Sequence, residues 1–297
     1  MRSIIFGTDW GEDCDDVVAL RVLCRSVKEE KINLIGVVIN DAIDYSASSL
    51  EGFLNKEGVY NVPIGIDKSG ANFGSHPTYQ IKLSEFSKNY KSNDDAENGI
   101  RLYRRLLANA KGKVEILEVG FLQVLAGLLE SEGDDISSLT GVELVKEKVE
   151  KVWCMAGKWH EDGGREYNFS RTSVACKASY VICEKCPVPI TFLGWEIGNS
   201  VISGSKLDKN DYLYQALYDH GSENGRSSWD PMTALLAVIG DEEKAGYDYV
   251  VGTACVEAEN GKNHFTPSSD GMHKYVIKKF DDIYYQNQLD DIIKSDI

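Results

Sequence analysis

In the stretch GTDWGEDCDDVVAL, residues 9–16 hold four aspartates and a glutamate, directly after the apolar run Ile4-Ile5-Phe6. Two carboxylates about 4 Å apart in a partly buried place repel by roughly 4 kcal/mol at an effective dielectric near 20, so a converging set needs protons or a cation. A hard divalent ion meets that need. With no His/Cys set to favour zinc, calcium is the expected metal, because it takes about six to eight oxygen ligands in flexible geometry. Magnesium shares the preference for oxygen.

Helix capping explains part of the cluster. Asp15 and Asp16 stand where an N-cap or first turn favours a carboxylate, each worth roughly 0.5–2 kcal/mol. Asp9, Glu12 and Asp13 are left without that reason. An EF-hand loop counted from Asp9 would want Gly sixth and Glu twelfth, and neither is present. A haloacid-dehalogenase-type phosphatase would want Asp-x-Asp after the first strand, whereas Trp10 and Gly11 follow Asp9.

Periodicity supplies the elements that must hold these residues. Short β-rich runs alternate with helical ones, the pattern of an α/β protein with a mostly parallel, Rossmann-like sheet flanked by helices. Strands are expected at 3–6, 34–39, 114–119, 152–155, 180–183 and 189–193. Helices are expected at 17–27, 47–55, 99–110, 122–129 and 230–239, with a last helical turn at 290–294. Residues 249–257 alternate and precede Asn260-Gly261, which predicts a C-terminal antiparallel hairpin. Stretches 67–80 and 130–146 read as long surface loops and candidate lids. Nothing marks a linker or repeat, so residues 1–297 are expected to form one catalytic domain. In open α/β sheets ligands bind beyond the carboxyl ends of strands, which is where the acidic loop falls.

Composition narrows the function. With 297 residues and 42% hydrophobic content the chain can bury a substantial core. Its 47 acidic and 32 basic residues give a net charge of −15, and no basic block tracks a phosphate backbone, so nucleic acid is not an expected partner. Only three consecutive apolar residues precede the first acidic ones, too few for a signal peptide or membrane span; a cytoplasmic protein with no membrane partner is expected. The seven cysteines are odd in number and scattered, which points to reduced thiols, and Cys183-Glu184-Lys185-Cys186 has no second half of a zinc set.

The Asp-rich segment resembles the opening motif of the inosine/uridine-preferring nucleoside hydrolases, in which it binds calcium. Further segments fall in that family's order along essentially the whole chain: LIGVVINDAIDY (34–45), EVGFLQV (118–124), CMAGKWHEDGGREYNF (154–169), LGWEIG (193–198) and SWDPM (228–232). The resemblance implies a nucleoside hydrolase-like fold and Ca²⁺ held by Asp9, Asp16 and Asp230, with a main-chain carbonyl at Gln123. It implies substrate contacts at Asp15, Glu166 and Asn168, the last two on one side of an extended segment. Asn40 and Asp41 lie near the substrate-side turn, and either one is a ribose contact or a turn residue. Taken alone, Asp230 ahead of Pro231 also reads as a helix cap, and Glu166 and Asn168 as a solvated loop; Tyr167 and Phe169 read as packing residues.

Breaking an N-glycosidic bond needs an activated water, support for an oxocarbenium-like sugar and a stabilised leaving base. Asp9 is the expected general base. Where the family commonly has His before the last Asp, this chain has Trp229, as the purine-preferring branch does; the expected role is stacking on the base, while its bland reading is a core Trp. His76, His160 and His220 are spare acids, and Trp10, Phe73 and Trp159 candidate second stacking faces. Gly7 replaces a family Asp, and Asp13 partly restores the charge. The expected activity is calcium-dependent hydrolysis of nucleosides, purines favoured, by a homodimer or homotetramer. The alternatives are a non-catalytic binder of ribosyl ligands and a hydrolase of a modified ribosyl compound.

Overall fold

Strand β1 (Arg2–Thr8) carries the first apolar run, and its side chains alternate: Ile4 and Phe6 enter one hydrophobic layer and Ile5 the other. The computed structural model of the chain describes residues 1–72 and 78–295. After β1 come α1 (Asp15–Lys28), β2 (Ile32–Ile39), α2 (Ser46–Lys56), β3 (Ile64–Ile66), α3 (Thr78–Ser84), β4 (Glu97–Asn98) and α4 (Gly99–Asn109). The middle of the chain forms β5 (Val114–Glu118), α5 (Gln123–Leu129), α6 (Gly141–Lys148), β6 (Val149–Met155), β7 (Gly164–Arg165), α7 (Tyr167–Ser170), α8 (Ser173–Lys185) and β8 (Ile190–Leu193). The remainder is α9 (Trp195–Gly198), β9 (Ile202–Ser203), α10 (Tyr212–Asp219), β10 (Arg226–Ser227), α11 (Trp229–Ile239), β11 (Tyr247–Val256), β12 (Lys262–Pro267), β13 (His273–Lys278) and α12 (Asp282–Ile293).

One sheet of 11 strands runs in the order β4-β3-β2-β1-β5-β6-β8-β13-β11-β12-β7, and β9 pairs with β10 separately. Every neighbour from β4 to β13 is parallel, and the pairs from β13 onward are antiparallel. Helices α1, α2, α11 and α12 cover one face, and α4, α5, α6 and α8 the other. The chain leaves β1 toward β2 on one side and returns on the other side as β5. That reversal opens a crevice beyond the strand ends. Register sets the crevice floor, with Thr8 opposite Ile39 and Gly7 opposite Glu118, which is itself opposite Cys154.

Most expected elements are present, and the exceptions have local causes. Residues 180–183 belong to α8, not to a strand. Thr172 caps that helix by accepting from the Ala175 N–H at 3.0 Å, and its buried residues recur at 175, 178, 179 and 182, a helical spacing. The expected last turn is the C-terminal end of α12, a longer helix whose N-cap is Asp281. The C-terminal parts of the two expected loops are the starts of α3 and α6, the latter opened by a capping box of Thr140 and Glu143. The hairpin joins β11 to β12 with Gly261 at φ +72°, and β13 then inserts parallel to β8. Among the described residues no helix is long and apolar enough to cross a membrane.

Helix α1 is anchored by Arg21, which is 1% exposed. Its Nε donates to Glu57 Oε1 at 2.6 Å and its two terminal nitrogens to Asp211 at 2.7 Å, joining the middle of α1 to the C-terminal end of α2 and the N-terminal end of α10. Removing one partner of such a pair strands a buried charge. Arg21→Ala is therefore expected to lower the unfolding free energy by about 3–5 kcal/mol in urea titration; a loss under about 1 kcal/mol would contradict this anchoring, since that is the scale of a surface pair.

Candidate functional site

The loop between β1 and α1 carries Asp9 on its rising side and delivers Asp15 and Asp16 in the first turn of α1. Gly11 adopts φ +109°, and a Cβ there would strike the Gln80 side chain, so the tight turn demands glycine. The N-cap of α1 is Cys14, and neither Asp15 nor Asp16 serves as the cap. Helix α11 enters from the far end of the sequence with Asp230 at its second position. Its N-cap is Ser228, so Asp230 is not the cap that its position before Pro231 suggests.

Asp9, Asp16 and Asp230 converge, with one carboxylate oxygen of each within 4.8 Å of the others, and all three are buried. Ligands on opposite sides of an ion at calcium's usual distance of about 2.3–2.6 Å would be spaced this way. Burial pushes all three carboxyls well above the usual carboxylate range. Asp41 and Glu12 add to the rise at Asp9, Asp9 adds to it at Asp16, and Asp15 and Asp16 add to it at Asp230. Thr8 Oγ1 donates to Asp16, but among the described residues no lysine or arginine pairs with any of the three. The nearby guanidinium of Arg226 is committed to Asp13, donating through Nε at 3.0 Å. An all-oxygen, anionic, cation-free donor set fits a hard divalent ion.

Asp15 is buried beside the triad. It accepts the Asp230 backbone N–H at 3.2 Å, and its carboxyl too is pushed up by burial and by Asp13 and Asp16.

A cavity of about 430 Å³ opens over this cluster. One wall is α7. Glu166 is its N-cap, accepting from the Asn168 N–H at 2.8 Å and the Phe169 N–H at 3.3 Å, and the Gly157 N–H reaches it at 3.1 Å. Burial nevertheless holds the Glu166 carboxyl at about 7. Asn168 donates both amide hydrogens, to the Val119 carbonyl at 2.8 Å and the Met155 carbonyl at 3.0 Å. Both residues line the cavity, but a helix start brings them together, not the alternation of an extended strand. Phe169 is buried, whereas Tyr167 is 41% exposed, lines the cavity and donates its hydroxyl to Glu12.

The opposite wall holds Trp195, His220, Arg226 and Trp229. Trp229 is half-buried at the start of α11, not a core residue. Its Nε1 donates to the Trp195 carbonyl at 2.8 Å, and the Arg226 guanidinium lies 5.3 Å from its ring centre. Trp10 and Trp159 are packed away, one against Phe53 and the other between Phe192 and Tyr275, so neither offers a face to the cavity. His160 sits near Glu196 outside the lining. Phe73 and His76 lie outside the described residues.

Asn40, Asp41 and Gln123 are not among the cavity's lining residues. Asn40 and Asp41 are fully buried. The Gln123 amide donates to the Asn40 carbonyl, and Asn40 Nδ2 donates to Glu118 Oε2 at 3.2 Å. Asp41 still acts on the site electrostatically, as its effect on Asp9 shows. Gly7 has a physical reason: a Cβ there would lie 1.9 Å from Glu118 Oε2. A buried carboxyl from the neighbouring strand, held at about 7 by burial, therefore occupies the space beside β1. Sequence reasoning gave no role to Glu118, Trp195 or Arg226; only the sheet register and the wall geometry single them out.

No protein-family model and no curated protein matches this chain. Solved structures do. A plant nucleoside hydrolase, PpNRh1, aligns with TM-score 0.74 at 16% identity over 98% of both chains. The chain has the nucleoside hydrolase fold. An inosine-guanosine nucleoside hydrolase aligns with TM-score 0.73 at 12% identity over 99% of each chain. The type III effector XopQ, in complex with adenosine diphosphate ribose, aligns with TM-score 0.67 at 14% identity over 98% of this chain and 93% of its own.

The crowding of like charges generates a stability prediction. In chelator-treated buffer Asp230→Asn is expected to raise the unfolding free energy by about 1–4 kcal/mol, the scale of one like-charge pair at an effective dielectric near 20. A urea midpoint lower than that of the parent under the same conditions would contradict mutual repulsion at the triad.

Proposed function

We propose that this protein is a metal-dependent N-ribohydrolase that cleaves nucleosides to base and ribose, with calcium as its metal. The observation that carries the reading is the meeting of Asp9, Asp16 and Asp230 without a side-chain cation, at the floor of a cavity with polar and aromatic walls. The nucleoside hydrolase fold, with its crevice at the reversal of strand order, supports it.

Asp9, Asp16 and Asp230 would hold the ion, and Gln123 would offer its main-chain carbonyl. When bound, a divalent ion supplies Lewis acidity toward water and sugar hydroxyls. Asp9 takes the proton of the attacking water. Asp15 accepts from a sugar hydroxyl, and Glu166 and Asn168 close on the sugar from the α7 side, with Asn40 and Asp41 supporting from beneath. The fixed negative charge around the ring favours the developing oxocarbenium ion. Trp229 forms the wall on which a purine stacks, an interaction worth about 1–3 kcal/mol per base. Work on a homodimer or homotetramer is part of this reading.

A second reading, binding of a ribosyl ligand without turnover, draws on the XopQ neighbour bound to adenosine diphosphate ribose. One assay separates the two: release of reducing sugar from a nucleoside panel. Release that stops with chelator and returns with calcium is expected, and Asp9→Ala should abolish it with the fold intact. Ligand binding without sugar release would favour the second reading. Trp229→Ala should reduce purine turnover by about tenfold more than pyrimidine turnover, given the stacking energy; equal losses would count against stacking.

A further inference from the structure

The wall that faces the base carries a histidine that the reading above leaves unused. Hydrolysis must place a proton on the departing base, and Trp229 has none to give. His220, at the C-terminal end of α10, lines the same cavity as Trp229 and Trp195. Its Nδ1 lies 3.0 Å from Ser222 Oγ, a hydrogen bond that fixes the ring. Its Nε2 lies 3.5 Å from Asp13 Oδ1, which ties the ring to the β1–α1 loop. Among the described residues that nitrogen has no partner closer than this, so in the tautomer where Nδ1 accepts from Ser222 the Nε2 proton can pass to a ligand.

The groups around the ring bear on its charge. Asp13 is shared with Arg226, and Cys14 lies within the same small cluster, its thiol pushed far up by burial and by Asp13 and Asp15. Asp219, next in the chain, is taken by Lys82 of α3 at 2.7 Å. Glu12 and Asp15 line the cavity nearby. Asp13, Cys14 and His220 have the types of a metal site, but a guanidinium already bound to Asp13 and a thiol that resists ionisation oppose a second ion. They suit a proton instead.

We propose that His220 is the acid that protonates the departing base, with Asp13 as its positioning residue; this rests on the ribohydrolase reading. As the C1′–N bond breaks, its electron pair stays with the base and the Nε2 proton passes to a base ring nitrogen. The water oxygen bonds to C1′ and gives its proton to Asp9. Asp9 then loses that proton to solvent, and His220 regains one from it. The chain thus takes its leaving-group acid from α10, while the position before the last ligand carries the stacking Trp229.

Two substrates test this. A nucleoside base needs a proton to leave, whereas the phenolate of 4-nitrophenyl β-D-ribofuranoside does not. His220→Gln is expected to lower kcat on inosine by about 10²–10⁴-fold and the rate on the nitrophenyl riboside by less than about tenfold, the range that general acid catalysis supplies. Equal losses on both would overturn the proposal. If His220→Gln fails to fold by circular dichroism, the parent protein decides: kcat for inosine should fall at high pH along a limb that the nitrophenyl riboside lacks, and identical limbs would overturn it. A parent that hydrolyses neither substrate would defeat the ribohydrolase reading itself, a distinct result.

Discussion

Three buried carboxylates that repel one another, with no side-chain cation among the described residues between them, set the terms for the rest of the molecule. Each is raised far from its ordinary acidity by burial and by its neighbours. Such an arrangement costs stability and persists only where the surrounding fold over-determines it. Here two elements from opposite ends of the sequence, the β1–α1 loop and the first turn of α11, are both tied to the sheet, and the backbone N–H of Asp230 is itself bonded to Asp15. A bound hard cation would relieve that repulsion.

The fold meets that cost elsewhere. Arg21, midway along α1, welds that helix to α2 and α10. Glu118 fills the hollow left by Gly7 and takes hydrogen bonds from Tyr103 and Asn40, which locks the strand ends beneath the loop. Arg226 pairs with Asp13, which joins that aspartate of the loop to the wall that carries His220 and Trp229. The acidic loop therefore divides its charges between the buried triad and the wall that carries His220 and Trp229.

Much of this was legible in the sequence, because strand, acidic loop and helix are consecutive and their periodicity is strong. The α/β pattern, the hairpin turn at Asn260-Gly261 and the helix from residue 230 needed only local rules. What failed was also local in cause. The run at 180–183 is too short to tell a buried strand from one turn of a helix, and Glu166 and Asn168 were assigned an extended backbone because the four-residue helix they start has no periodicity of its own. The pairing of Gly7 with Glu118 depends on parallel register across residues more than a hundred apart, and Asp13 with Arg226 on the approach of β10. No local rule contains either.

The most direct measurement is calorimetric titration of calcium into metal-stripped protein in two buffers of different ionisation enthalpy. One ion per chain is expected, with release of protons, because ligands whose acidity has been weakened must ionise to bind. Binding should vanish in Asp16→Asn. No saturable binding, or binding that Asp16→Asn leaves unchanged, would contradict the central claim that these three carboxylates form one cation site.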